Sequence, residues 1–231
     1  MVDISKRIQQ SRRIQTSVMN ALEKKALVKM AEAMPKWVTS NMLTAVGTFG
    51  ALVIAVGYFL SNYHIGFLWL ASLGFVINWF GDSLDGTLAR VRNIQRPIYG
   101  YYLDHTVDVV NELLMFVGAG LSPIIDMKVA IAAFIIYLFL TLNVSMNAHL
   151  RAEFKLTYLG LGPTEFRIIV IVLNTILFFC GAKVYESTAM ELVTAIIPVV
   201  LAVIYVITVV KDLKYYADID PVKKEDDKAE R

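Results

Sequence analysis

Asp82 and Asp85 stand three residues apart and Asp104 and Asp108 four apart, in a stretch that also holds Gly86, Ala89, Arg90 and Gly100. Positions three or four apart share a helix face, so each pair offers two carboxylates on one side of its own helix. Two such helices facing each other would gather all four into one cluster. The surroundings are apolar, and an ionised carboxylate at bilayer depth is costly unless it meets a cavity or a partner. No matching set of Lys or Arg lies within the apolar stretches to pair these aspartates, so a purely structural helix contact is a poor account of them. An all-oxygen set of this density suits hard divalent cations such as Mg²⁺ or Mn²⁺, and no Cys or His cluster favours zinc. About two divalent ions would balance four carboxylates, an arrangement that polarises a phosphoryl group and steadies its leaving oxygen. Gly86 and Gly100 would let a phosphate approach the backbone, and Arg90, one turn beyond Gly86, is a permanent cation suited to phosphate.

The elements that must position these groups are membrane helices. The chain has 231 residues, of which 57% are hydrophobic, and its mean hydropathy is +0.57. That is too apolar for a soluble domain and long enough for about six spans of ~20 residues. The expectation is an all-α polytopic membrane protein with six transmembrane helices, at about 41–61, 66–90, 101–122, 128–150, 164–183 and 188–211. Before them, Ile4, Ile8, Ile14, Val18, Leu22, Leu27 and Met30 recur at helical spacing among Lys6, Arg7, Arg12, Arg13, Lys24, Lys25 and Lys29. This pattern predicts an amphipathic interfacial helix on an anionic leaflet, with a helix packed on the cytoplasmic loops as the alternative. Pro35 ends it, and Ser40 or Asn41 can cap the next helix. The domain plan is therefore a juxtamembrane helix over 1–35, a membrane domain over 36–213 and a disordered cytoplasmic tail over 214–231.

Charge distribution sets the orientation. Twenty of the 22 Lys and Arg lie before Asn41, in Arg90 to Arg96, in Arg151 to Arg167, or from Lys211 onward. With an even number of spans all of these segments fall on one side, which the positive-inside rule makes cytoplasmic. Both termini and the aspartates' end of the bundle are then cytoplasmic, in the cell membrane if the source is prokaryotic. Cys180 is alone in an apolar run and reads as a packing residue. The first 35 residues lack the uninterrupted apolar core of a cleavable signal peptide. Membrane lipids are the expected surroundings, and no nucleic-acid partner is expected.

Asp82, Asp85, Gly86, Ala89, Arg90, Gly100, Asp104 and Asp108 together resemble the signature of the CDP-alcohol phosphotransferases, integral membrane enzymes of phospholipid biosynthesis. One departure is that nine residues separate Arg90 from Gly100, where the usual spacing is seven or eight; they form a loop containing Pro97 that can absorb the extra residue. The resemblance implies attack by an alcohol on the β-phosphate of a CDP-linked substrate, releasing CMP. It implies that Asp82, Asp85, Asp104 and Asp108 hold two divalent cations, with Asp108 also the candidate base. It places Gly86, Ala89, Arg90 and Gly100 around the CDP moiety, and it implies a homodimer.

The acceptor is less legible. His105 directly follows Asp104, an arrangement that resembles the choline and ethanolamine phosphotransferases, where a His with a later Glu is thought to activate a lipid hydroxyl. Glu165 is the candidate partner, although a Glu near a helix N-terminus is favourable for dipole reasons alone. Arg151, Lys155 and Arg167 share the aspartates' side, either as binders of a phosphorylated acceptor (Arg151 and Arg167 above all) or as ordinary positive-inside anchors. Asn111, Glu112, Asn143 and Asn147 face the cavity or neighbouring helices. Either CDP-diacylglycerol donates to a small alcohol or a CDP-headgroup donates to a lipid hydroxyl. Two competing classes are a membrane prenyltransferase, whose aspartate motif Asn78, Asp82 and Asp85 superficially resemble, and a cation transporter, which Arg90 beside the carboxylates disfavours.

Overall fold

The computed structural model describes residues 12–14, 20–151, 153–155, 162–185 and 187–221. In chain order these form a strand β1 (Arg12–Ile14), helices α1 (Asn20–Ala33) and α2 (Ser40–Leu60), a 3₁₀ turn (Ile65–Phe67), helices α3 (Leu68–Val91), α4 (Pro97–Gly120) and α5 (Met127–Arg151), a strand β2 (Glu153–Lys155), and helices α6 (Pro163–Cys180) and α7 (Thr188–Ile219), with a single helical turn at Ala182–Tyr185. Among the described residues five stretches are long and apolar enough to cross a membrane: Ser40–Leu60, Ile65–Val91, Met127–Ala148, Pro163–Cys180 and Thr188–Ile219. Helix α4, expected as a sixth, does not join them by composition, because Asp104, Asp108 and Glu112 all fall in its middle turns.

The contact that organises the bundle is between α2 and α3, and it is made backbone to backbone. A Cβ on Gly81 would lie 2.3 Å from the Gly47 nitrogen, one on Gly50 2.4 Å from the Asn78 nitrogen, and one on Gly57 2.4 Å from the Ala71 nitrogen. Small residues one helical turn apart allow this approach, which gives membrane helices dispersion contact where water supplies no hydrophobic drive. Ile54, Leu68, Ala71 and Phe75 fill the far half of the seam. Helix α4 crosses α2 at Gly118, where a Cβ would meet the Ala55 Cα at 2.5 Å.

Three local expectations are corrected, and a helix left with two readings is seen packed on protein. Helix α2 is capped by Thr39, whose hydroxyl accepts the Met42 N–H at 3.3 Å, and not by Ser40 or Asn41. Within the expected N-terminal helix, Arg12–Ile14 is a strand running parallel to β2, with Arg12 opposite Glu153; the remainder before residue 20 lies outside the described residues. Helix α1 turns Leu27 and Ala31 onto protein, packing with Val38, Leu43, Leu84 and Leu88. Its Glu23 carboxylate accepts hydrogen bonds from Trp79 Nε1 at 2.8 Å and Thr164 Oγ1 at 2.7 Å, which ties it to α3 and α6. Finally, α7 continues to Ile219, beyond the expected tail boundary at 213. The cause is a polar clasp on α5: Asn147 Nδ2 donates to Asp212 Oδ2 at 2.7 Å, and the Tyr216 hydroxyl donates to Asn147 Oδ1 at 2.6 Å. The rest of the expected tail, from residue 222, lies outside the described residues.

Candidate active site

The last three turns of α3 and the first half of α4 carry the aspartates, and the turn between these helices brings them together. Helix α3 closes with the Ile94 N–H on the Ala89 carbonyl at 3.0 Å. Asn93 takes a left-handed φ of 54°, which Asn tolerates better than most residues, and Pro97 opens α4 at a position that needs no N–H donor. Arg92 fixes the corner from outside, its guanidinium donating to the carbonyls of Val38 at 2.5 Å, Met34 at 3.0 Å and Pro35 at 2.8 Å. The α1–α2 connection is thereby tied to the end of α3.

Asp82, Asp104 and Asp108 each present a carboxylate oxygen, and these oxygens lie within 4.8 Å of one another. Asp85 stands just outside this trio. Its Oδ2 accepts the Thr44 hydroxyl at 2.7 Å, and its Oδ1 accepts the Gly86 N–H. All four nonetheless line one cavity of about 10 Å³, shared with Thr44, Gly47, Val107 and Asn111. That is room for about one water-sized sphere. Three carboxylates at this separation repel one another, and oxygen-only donors around a small cavity match what a hard divalent cation takes as ligands. The residues present therefore fit a metal site on their own chemistry.

A protein cation, Arg167, enters the cluster, although one arginine is not a set matching four carboxylates. Arg167, near the start of α6, places Nη2 at 2.6 Å from Asp82 Oδ2, with the two side chains only 14% and 27% exposed. Its Nε donates to Asn78 Oδ1 at 3.1 Å, and Asn78 Nδ2 donates in turn to the Gly47 carbonyl at 3.0 Å. Arg167 is thus fixed at two points over the trio, through an asparagine locked into the α2–α3 seam.

The other expected residues fall around this centre. Arg90 is exposed at the rim and donates to Thr87 Oγ1 at 2.9 Å. Its guanidinium lies over Gly86, where a Cβ would come within 3.3 Å of Nη1. Ala89 is half-buried beside it. Gly100 opens onto space, since a Cβ there would meet nothing within 4 Å. His105 stacks on Tyr101 with ring centroids 4.0 Å apart, and its Nδ1 lies 3.0 Å from the Tyr101 carbonyl. A carbonyl can only accept, so this bond puts the proton on Nδ1 and leaves Nε2 for other partners. Glu165 is buried and uses Oε2 to accept the Gly162 N–H at 2.9 Å, capping α6. The Arg151 side chain and Lys155 side chain lie outside the described residues.

Arg167 was expected at the site as a binder of a phosphorylated acceptor, but Thr44 and Asn78 were not read from the sequence as parts of it. Asn78 did carry a signal, being one turn before Asp82 on α3. Thr44 carried none, because only the folded α2–α3 contact sets it against Asp85.

Residues 37–210 match the CDP-alcohol phosphatidyltransferase family. With three quarters of its length matched and an acidic site of this kind between α3 and α4, the chain belongs to that family, whose reaction transfers a substituted phosphate from a CDP-alcohol to an alcohol acceptor with release of CMP. Membership favours this chemistry over the prenyltransferase and transporter readings. The chain is also similar to a phosphatidylinositol phosphate synthase from Cutibacterium acnes (strain DSM 16379 / KPA171202), 33% identical over 84 residues, which are 36% of this chain and 38% of that protein. The match thus spans well under half the length of this relative.

Proposed function

We propose that this chain transfers a substituted phosphate from a CDP-alcohol to an alcohol acceptor, releasing CMP, at the cytoplasmic edge of the membrane. The single observation carrying this is the convergence of Asp82, Asp104 and Asp108 to within 4.8 Å beside Asp85 in one cavity. Asp82, Asp85, Asp104 and Asp108 are the residues that would hold two divalent cations, Mg²⁺ or Mn²⁺, and these would polarise the diphosphate and stabilise the oxygen leaving with CMP. Gly86, Ala89, Arg90 and Gly100 form the donor's pocket: the open space at Gly100 admits the nucleotide, and Arg90 holds a phosphate at the rim. Arg167, already steered by Asn78, presents donors to a phosphate of the donor or of a phosphorylated acceptor. Asp108 takes the proton from the attacking hydroxyl. His105 is the other candidate base through Nε2, while Glu165 orients the start of α6 by capping it.

Helix α4 completes six spans, its carboxylates facing the cavity and the rest of the helix facing protein and lipid; both termini are then cytoplasmic, and the functional unit is a homodimer in the cell membrane. The full chain in lipid nanodiscs, given CDP-diacylglycerol or CDP-ethanolamine with a panel of alcohols, tests the reading through CMP release and the mass of the lipid product. The similarity to a phosphatidylinositol phosphate synthase makes inositol phosphate the first acceptor to try. No CMP from any CDP-alcohol, with folded protein, contradicts the proposal.

A further inference from the structure

Helix α4 continues its polar face one turn past Asp108. Asn111 follows Asp108 by three residues and Asp104 by seven, so the three share one side of the helix. Asn111 is only 5% exposed and lines the same cavity as the four aspartates. Its Oδ1 is buried and has no hydrogen-bond partner among the described residues. An orphaned amide oxygen is a standing penalty, one that apolar surroundings would avoid by carrying Leu or Val there. Thr44 cannot remove this penalty, because its hydroxyl proton already goes to Asp85 Oδ2. Gly47 offers only backbone, and its carbonyl accepts from Asn78.

An amide oxygen is a neutral hard ligand, the kind that joins carboxylates around Mg²⁺, Mn²⁺ or Ca²⁺. We infer that Asn111 supplies a further, uncharged oxygen at the floor of the acidic site, accepting the cation itself or a water molecule on that cation. This rests on the reading of the aspartates as a metal site and adds a residue to it. A neutral fifth donor lets the site take a divalent ion without adding a negative charge to the carboxylates that repel each other.

The test is Mn²⁺ binding to the purified full chain in nanodiscs, followed by electron paramagnetic resonance, with thermal unfolding in chelator as a second readout. Asn111→Leu should raise the Mn²⁺ Kd by ~10-fold or more, the effect of losing a supporting ligand. The same variant should unfold in chelator at the wild-type temperature or above, since it removes an orphaned polar atom. Asn111→Asp keeps the oxygen and adds charge, so it should bind Mn²⁺ at least as tightly as wild type, and it carries the test if the Leu variant does not fold. Wild-type Kd in Asn111→Leu, or weakened binding in Asn111→Asp, overturns the inference while leaving the aspartate site standing. Failure of the wild-type chain to bind Mn²⁺ overturns both.

Discussion

Two polar clusters cross the same apolar bundle, and they balance their hydrogen bonds in opposite ways. In the inner cluster Asn174 accepts from the Tyr58 hydroxyl at 3.2 Å and donates to Ser72 Oγ at 3.2 Å, joining α6 to α2 and α3. All three residues are buried, all are neutral, and donors match acceptors. At the other end the same three helices and α4 bring four carboxylates together with the Arg167 guanidinium and, among the described residues, leave Asn111 Oδ1 without a donor. The first pattern is interhelical glue. The second carries more acceptors than the protein can satisfy, which is how a site built for an external cation looks. The difference shows that polarity alone does not mark function inside a membrane protein; unmatched polarity does.

The comparison can be broken most sharply by taking away the cation. Chelation should abolish CMP release altogether and leave the melting temperature set by the inner cluster nearly unchanged, with Mg²⁺ or Mn²⁺ restoring turnover; full activity in chelator would mean the carboxylates serve structure after all. Replacing the candidate base comes next. Asp108→Asn should cut turnover by about 10²–10³-fold, as the loss of one group acting on the transition state does, while donor binding stays measurable by equilibrium dialysis. Normal turnover would move the base to His105.

A smaller effect is expected from Arg167→Met, which should lower kcat/KM by about tenfold through one lost charge-assisted phosphate contact. Mn²⁺ affinity in that variant should rise, because Asp82 is released from its protein partner. Unchanged kcat/KM would make Arg167 only a structural counter-ion. At the gentle end, Tyr58→Phe should cost about 0.6–2 kcal/mol of stability, the range for interhelical hydrogen bonds in membranes, with CMP release per folded molecule unaltered.

What could be read from the sequence follows the same division. The spacings of Asp82 with Asp85 and of Asp104 with Asp108 are local, so periodicity alone put each pair on one face. The partners that complete the site are distant in sequence: Thr44 reaches Asp85 across 41 residues and Arg167 reaches Asp82 across 85. No spacing rule connects them. Arg167 was legible only as a phosphate binder or a surface anchor, and its bond to Asp82 depends on α6 packing against α3 in the folded chain. The five apolar spans were legible from composition, and α4 was ambiguous for the same reason that it matters, its acidic face. The strand at Arg12–Ile14 and the extension of α7 to Ile219 depend on pairings with β2 and with Asn147, so local pattern missed both. The close α2–α3 seam did leave a trace, in Gly74, Asn78 and Gly81 at helical spacing.

The most direct measurement sets the two clusters side by side: CMP release from a CDP-alcohol, per folded molecule and at saturating Mg²⁺, for Asp104→Asn and Asn174→Ala. The account predicts that Asp104→Asn releases almost no CMP while remaining as stable as wild type, and that Asn174→Ala is less stable yet turns over at close to the wild-type rate. Wild-type turnover in Asp104→Asn would contradict it.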